Sequence, residues 1–280
     1  MANNTHELKS RLKSIQSTQK ITKAMQLVAV SKLQKIKAAY LKNRNYSQGL
    51  RDIMVEVLSH NTSIEHSMLK QPKVDDKPYY IVFSSDLGLA GGYTTNLFKY
   101  IHENNIKHAS FHWIGKKGYI RFKNEGFKII NDTIILGDKI NFEDIRKLGV
   151  KAIEKFKRQE ITSINILYTN YINATTYEVS SQKVLPVTID ERKLEFKEII
   201  YNPSAQEILD NLVPRYVISE IYQYYMASKT SEYSSRRVSM ESATDNAQEL
   251  IDDLRLQYNK LRQQAITQEI TEIISGTIGG

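Results

Sequence analysis

Cysteine is absent from the 280-residue sequence, and this absence excludes several classes of protein. Without cysteine the chain has no disulfide framework, no thiolate nucleophile and no cysteine-ligated zinc or iron–sulfur site. The six histidines are scattered, so a histidine-based metal centre is poorly supplied as well. We therefore expect neither a metal nor a cofactor.

Long hydrophobic runs are also missing. Residues 79–83 form one of the longest, far shorter than the roughly 20 apolar residues that a bilayer-spanning helix needs. The N-terminal residues lack the apolar centre of a secretion signal. With 41% hydrophobic and 25% charged residues, the composition is typical of a soluble globular protein on the cytosolic side of the membrane.

Proline is rare, and the first part of the chain predicts one long helix. Between Leu8 and Leu58 there is no proline and a single glycine, Gly49. Apolar and small residues recur there at spacings of three and four, which is the period of one helical face. This seam comprises Leu8, Leu12, Ile15, Thr18, Thr22, Met25, Ala29, Leu33, Ile36 and Tyr40.

The last part of the chain predicts a second long helix, over about residues 204–275. Ser204 and Glu207 have the spacing of a capping box, which marks its start, whereas Pro214 predicts a kink or a second helix start. A rod of about 100 Å cannot bury itself in its own chain. Isoleucines on several sides of residues 265–278 predict a tip that is held inside a partner. The seam of this helix comprises Met240, Ala243, Ala247, Leu250, Leu254, Tyr258, Leu261 and Ala265.

The two ends carry opposite charge. Residues 1–51 hold eleven basic side chains and one acid, whereas residues 241–272 hold seven acids and three bases. Antiparallel packing of the two helices gains electrostatic attraction along the flanks of the seam, although long solvated helices are commonly rich in charge for no such reason. Because the acids neutralise only part of the basic excess, we also expect an acidic surface on another molecule.

The middle of the chain predicts alternating strands and helices, and hence a mostly parallel sheet with helices on its faces. The fold class is therefore α/β: a long antiparallel coiled coil (residues 1–70 and 203–280) with an inserted Rossmann-like domain (residues 71–202). Predicted helices cover residues 94–104, 116–124 and 142–158. Predicted strands cover residues 79–84, 110–114, 127–130, 134–136, 163–171, 179–189 and 194–201.

No catalytic constellation stands out. The glycine-rich segment 85–93 follows the first predicted strand but lacks the lysine and hydroxyl of a phosphate loop, so a structural turn that needs glycine conformations is the better interpretation. We interpret the histidines as solvent-exposed. The basic first helix leaves nucleic-acid binding open as a minor alternative, although the middle domain has no basic patch with interleaved aromatics.

Three segments resemble the gamma subunit of F-type ATP synthases. These are residues 21–33 (ITKAMQLVAVSKL), 240–247 (MESATDNA) and 258–276 (YNKLRQQAITQEITEIISG). The resemblance extends over nearly the whole chain and implies a central rotor shaft. Such a shaft couples nucleotide turnover at three beta-subunit sites to rotation, and rotation to ion translocation or another mechanical output. The alternative is a nucleic-acid-binding protein or a structural coiled-coil adaptor.

The resemblance also implies the partners. One copy of the chain per motor enters a hexameric ring of alpha and beta subunits, an epsilon subunit and a membrane rotor ring are further partners, and nucleic acid is not. Catalysis belongs to beta, so the chain itself is not an enzyme, and it lies at the cytoplasmic face of the cell membrane through its complex. The residues that match the family's beta-subunit contacts are Lys23, Met25, Arg236, Arg262, Gln263 and Thr267.

Overall fold

A computed structural model of the chain describes residues 2–60, 66–70, 72, 75–106, 109–131, 133–173, 176–188, 201–202 and 204–278. The chain divides into two compact units. The coil unit consists of Met1–Val30 and Arg236–Gly280, and the sheet unit consists of Ser31–Ser235.

The element order confirms the predicted α/β class. The helices are α1 (Ala2–His60), α2 (Tyr93–Glu103), α3 (Lys116–Asn124), α4 (Phe142–Lys157) and α5 (Ala205–Ile278). The strands are β1 (Pro78–Phe83), β2 (Ser110–Ile114), β3 (Ser163–Tyr171) and β4 (Tyr177–Leu185). They form one sheet in the order β2-β1-β3-β4, in which β2, β1 and β3 are parallel and β4 is antiparallel to β3.

The sheet is covered on both faces, as its parallel strands require. Ile81 and Phe83 of β1 point to one face and pack with Ile153 of α4 and with apolar residues of α1 and α5 from the sheet unit. Val82 points to the other face, where α2 and α3 enclose an aromatic cluster. In that cluster the ring of Phe122 lies 4.2 Å from that of Trp113, centroid to centroid.

Two predicted strands, 127–130 and 134–136, are wrong as strands and survive only as isolated bridges. Ile129 bridges Phe111, and Ile135 bridges Ile114, so the segment does follow the outer edge of β2. Between these two bridges, the side chain of Asn131 rather than a backbone group forms hydrogen bonds with β2. The Asn131 side chain accepts from the Trp113 N–H at 2.8 Å and donates to the Trp113 carbonyl at 3.1 Å. Another predicted strand, 194–201, lies outside the described residues except at its last residue.

The start of α5 is confirmed, and the helix is continuous from Ala205 to Ile278. Ser204 Oγ accepts the Glu207 N–H at 3.2 Å, as a capping residue does. The helix then runs through Pro214 without a second start, which leaves a kink as the form of the expected irregularity. Val213 and Val217, on either side, are fully buried, and this burial offsets the roughly 3 kcal/mol that an interior proline costs.

The glycine-rich segment is a structural turn, as predicted. Gly91 adopts a φ of +52°, and the non-glycine Leu89 adopts +62°. The buried Asp86 carboxylate accepts the backbone N–H groups of Lys116, Gly137 and Asp138 at 3.1, 3.0 and 2.7 Å. These bonds join the segment to neighbouring parts of the sheet unit.

The interpretation of the histidines as solvent-exposed is wrong for two of them. His66 is 2% exposed, and its Nε2 lies 3.1 Å from Asp210 Oδ1. His112 is half-buried, and burial together with Lys155 and Lys151 lowers its pKa to about 4, so it is uncharged at neutral pH. His102 is exposed and pairs with Glu125. Within the described ranges, no three histidine or carboxylate groups are placed to hold a metal ion.

The membrane expectation has a structural counterpart in the helices. In the part of the chain that the structure describes, no helix is both long enough and apolar enough to span a bilayer.

Replacing Gly115 with alanine will destabilise the sheet unit by about 2–4 kcal/mol. Gly115 has a φ of +107°, and an added Cβ would lie 2.2 Å from the Ser84 carbonyl oxygen. Urea unfolding followed by fluorescence of the single, buried Trp113 measures the change. As a control, Gly49→Ala introduces a Cβ that meets nothing within 4 Å inside α1, and it will stabilise by about 0.5–1 kcal/mol. An unchanged midpoint for Gly115→Ala would contradict the turn geometry.

Candidate partner-binding surface

Within the coil unit, α1 and α5 pack as an antiparallel pair along a heptad seam. Thr22 Oγ1 lies 2.8 Å from Thr244 Oγ1, and Gln19 Nε2 donates to Gln248 Oε1 at 2.8 Å, so positions rise on one helix as they fall on the other. Side chains of reduced exposure recur at spacings of four and three, as in a coiled coil. They are residues 8, 12, 15, 19, 22, 26 and 29 of α1, and 240, 244, 247, 251, 254, 258, 261 and 265 of α5.

The structure corrects the seam that the sequence predicted. Thr18 is exposed and Gln19 takes its place, and on α5 Leu250 is 52% exposed whereas Ile251 is 2% exposed. Sequence reasoning chose Thr18 and Leu250, but the heptad spacing places the neighbouring residues, Gln19 and Ile251, in the seam. Glutamine at a seam position carries no hydrophobic signal, and only the spacing could have revealed it.

The centre of the seam is polar rather than charged. Its cross-helix contacts join neutral side chains, the two glutamines and two threonines named above. The ion pairs of α5 in this unit lie along the helix itself, as in Arg237–Glu241 at 2.9 Å and Arg255–Asp252 at 3.6 Å. Among the described residues, the hydrogen bonds that join the two helices of this unit are therefore between neutral side chains, and such polar pairs favour one register.

Four of the six residues predicted to contact a partner are exposed. Lys23 lies on the outer side of α1, and Arg262, Gln263 and Thr267 are exposed on α5. Thr267 Oγ1 donates to the Gln263 carbonyl at 2.9 Å, and both residues line a shallow surface groove with Lys260, Gln264, Gln268 and Thr271. By the register above, Lys23 lies opposite the region of residue 243, about 28 Å along α5 from Arg262. The exposed candidate residues therefore form two separate groups on the coil unit, with Lys23 in one and Arg262, Gln263 and Thr267 in the other.

The other two predicted contact residues are less accessible. Met25 is half-buried beside the seam, and Arg236 is 5% exposed and has a partner within the chain.

An exposed apolar surface accompanies the polar candidates and was only partly predicted. On α1 of the coil unit, Ile21 and Leu27 are each 60% exposed. On α5, Leu256 is 71% exposed, and the isoleucines of the predicted tip are 47–70% exposed at positions 266, 270, 273 and 274. Large apolar side chains exposed together indicate a surface that a partner covers.

Comparison with known proteins agrees with this picture. The family model described as ATP synthase matches residues 4–278. The ATP synthase gamma chain of Alkaliphilus metalliredigens is 36% identical over 279 residues, which is 96% of each chain. That of Mycoplasma mobile is 37% identical over 279 residues, 97% of each chain. The chain belongs to the ATP synthase gamma chain family. Membership does not favour the nucleic-acid-binding or adaptor alternative.

Solved structures of mitochondrial ATP synthases share the fold. A chain of the Euglena gracilis enzyme (OSCP, F1 and c-ring, rotational state 3) is 16% identical, with a TM-score of 0.65 over 100% of this chain and 95% of that one. A chain of the Tetrahymena thermophila central stalk and c-ring is 21% identical, with a TM-score of 0.60 over 80% and 99%. The predicted arrangement of terminal helices around an inserted sheet is thus confirmed as this family's fold.

Replacing Gln26 with leucine will stabilise the coil unit by about 1–2 kcal/mol. Gln26 is 9% exposed, and its buried Oε1 has no hydrogen-bond partner among the described residues, a state that costs stability. Thermal unfolding followed by helical circular dichroism, with Trp113 fluorescence reporting the sheet unit, measures the effect. Gln257→Leu, at an exposed position of α5 in the same unit, is the control and will leave the midpoint unchanged. Destabilisation by Gln26→Leu would show that the amide is satisfied.

Proposed function

We propose that the chain is the central rotor shaft of an F-type ATP synthase. The observation that carries this proposal is the combination of family membership with a coil unit whose apolar side chains stay exposed at the end of α5. A shaft needs such a surface, because it must slide within a bearing that surrounds it. An adaptor that bound a single fixed partner would need one apolar face, whereas these isoleucines lie on several sides of the helix.

The partners follow from the relatives. The solved neighbours are named as parts of F1, c-ring and central-stalk assemblies. By that analogy one copy of this chain sits in a hexameric alpha–beta ring, and an epsilon subunit and a membrane rotor ring complete the rotor. The basic excess of residues 1–51 suits an acidic surface on the beta subunit.

The chain has a mechanical rather than a catalytic role in this proposal. Nucleotide chemistry belongs to the beta subunits, and the chain is held at the cytoplasmic face of the membrane through its complex. Residues 1–70 and 203–280 form the shaft, and residues 71–202 form the inserted domain that meets the rest of the rotor. The structural turn at residues 85–92, whose geometry serves the sheet unit, gives no support to nucleotide binding by this chain.

The mechanism is a reciprocal linkage between shaft angle and nucleotide state. Because the shaft has different side chains around its circumference, it makes different contacts with three otherwise identical beta subunits. Moving one site from 1:99 to 99:1 open requires about 5.5 kcal/mol of differential contact. A few charge-assisted hydrogen bonds plus apolar packing supply that amount, so no single residue need be essential.

The two groups of exposed candidate residues on the coil unit supply those contacts. The exposed Lys23 makes one charged contact with a beta subunit, and Arg262, Gln263 and Thr267 make the other. Met25 is half-buried and Arg236 is 5% exposed, so these two residues make smaller contacts with the beta subunits. The output of rotation is ion translocation through the membrane rotor ring or another mechanical output.

Co-purification followed by rotation imaging tests the proposal. The tagged chain is expected to bring down two larger nucleotide-binding subunits, and a bead attached to it will turn in one sense when ATP is added. An isolated chain that forms no such complex, or a complex that hydrolyses ATP without turning the bead, would overturn it.

Replacing Arg262 with alanine will lower the rate of ATP turnover in the assembled complex about 3- to 10-fold without preventing assembly. The guanidinium is exposed, so its loss removes a partner contact and leaves the fold intact. Steady-state ATP hydrolysis together with the yield of purified complex measures both effects. Arg158→Ala, which removes an arginine with 70% side-chain exposure from the sheet unit, is the matched control and will leave turnover unchanged. Equal rates for the two variants would remove Arg262 from the contact surface.

A further inference from the structure

One carboxylate of the sheet unit receives hydrogen bonds from both long helices. Asp138 lies in the turn between the edge of β2 and α4. Its Oδ2 accepts from Lys32 Nζ of α1 at 2.8 Å, and its Oδ1 accepts from Lys229 Nζ of α5 at 2.7 Å. Tyr233 of α5 also donates its hydroxyl to Oδ1, at 2.9 Å. Lys32 and Lys229 therefore meet at Asp138, although they are 106 and 91 residues away from it in sequence.

The cluster is buried on the α5 side and balanced in charge. The Lys229 side chain is 4% exposed, and it also donates at 2.7 Å to Glu232, whose side chain is 1% exposed. Two lysines thus face two carboxylates. Hydrogen bonds and attraction from Lys229, aided by Lys32 and Tyr233, hold the pKa of Asp138 well below its usual range, although burial alone would raise it. Asp138 therefore stays ionised throughout the physiological pH range.

The turn that carries Asp138 is itself held rigidly. The Asp86 carboxylate accepts the N–H groups of Gly137 and Asp138, and the Tyr225 hydroxyl of α5 donates to the Gly137 carbonyl at 2.9 Å. Gly137 also allows a close approach, since a Cβ there would lie 3.0 Å from Lys229 Nζ. The carboxylate is therefore fixed relative to the sheet, and both lysines are fixed relative to it.

The other contacts between these helices and the sheet are an apolar core, which includes Met54, Val217 and Ile221, and neutral hydrogen bonds such as the one from Ser231 Oγ to the Thr169 carbonyl at 2.8 Å. Apolar contacts give cohesion without direction, so they resist separation more than they resist sliding or rotation. Charged hydrogen bonds depend on distance and angle, and two of them on opposite oxygens of one carboxylate define an orientation.

We propose that Asp138 is a positioning residue that locks the inserted sheet to the helix pair against rotation, so that torque passes through its bonds to Lys32 and Lys229. The proposal rests on the proposed rotor function, and it assigns to these residues a torsional role that the apolar core does not fulfil. Loss of the lock leaves ATP hydrolysis by the ring intact but makes the connection to the inserted domain more compliant.

The test compares angular fluctuations at two labelling sites in the assembled complex. Because the chain has no cysteine, Lys117→Cys on α3 and Lys42→Cys on α1, both at exposed positions, each provide a unique attachment point for a bead. Each label is combined with Asp138→Asn, which removes the charge while keeping the size and leaves Lys229 paired with Glu232. We expect the variance of the bead angle at position 117 to rise at least twofold, and that at position 42 to remain unchanged.

A matched control and a milder variant keep the result decisive. Glu143→Gln breaks an exposed ion pair with Arg146 on α4, at 2.6 Å, and will leave both variances unchanged. The Lys32 side chain is 45% exposed, so Lys32→Met removes one of the two lysine bonds to Asp138 with little effect on folding. It will raise the variance at position 117 even if Asp138→Asn does not assemble. Unchanged variance at position 117 in a variant complex that rotates would overturn the torsional role. An unmodified complex that does not rotate would instead overturn the rotor function.

Discussion

The burial of Lys229 is the constraint on which the sheet unit depends. An ammonium group with 4% side-chain exposure is tolerable only when it is paired, and two carboxylates at 2.7 Å provide the pairing. One of them, Asp138, belongs to the inserted domain and must lie at one position relative to Lys229. Three features hold it there: the hydrogen bonds of its turn to Asp86, the small residue Gly137 and the hydrogen bond from the Tyr225 hydroxyl. Apolar packing around the cluster holds the helices and the sheet close enough for the pairing to form.

The two units show opposite uses of the same two helices. In the sheet unit the helices bury large apolar side chains, and their polar contacts include both ion pairs, such as Lys229–Glu232, and neutral hydrogen bonds, such as Asn43–Gln223. In the coil unit the seam is thin, its centre is built from glutamine and threonine, and large apolar side chains remain exposed. A polar layer specifies register at a cost in stability. The coil unit is therefore built for a defined pairing rather than for maximal stability by itself.

The sequence predicted the elements better than their contacts. α3 and β2 have the predicted bounds because Gly115 separates them, and β3 has its predicted bounds because they follow its run of apolar and aromatic residues. Asn131 was missed because a side chain replaced a backbone strand partner, and His66 because the carboxylate that it contacts, Asp210, is far away in sequence. The lock at Asp138 could not be predicted either, because Lys32 has the same local pattern as the solvated lysines around it and the pairing of Lys229 depends on Asp138, 91 residues away in sequence.

The predicted contact residues also divide into those whose exposure a local pattern explains and one whose burial it does not explain. Exposure of Arg262, Gln263 and Thr267 follows from helical period, because each lies off the heptad of Leu254, Tyr258 and Leu261. Burial of Arg236 does not follow from any local period, since it depends on what surrounds that part of α5. A period of one helix determines which side chains point away from the seam. It cannot determine what else in the chain covers them, so the exposed residues of a coiled coil are predictable from sequence only where the coil has no other neighbours.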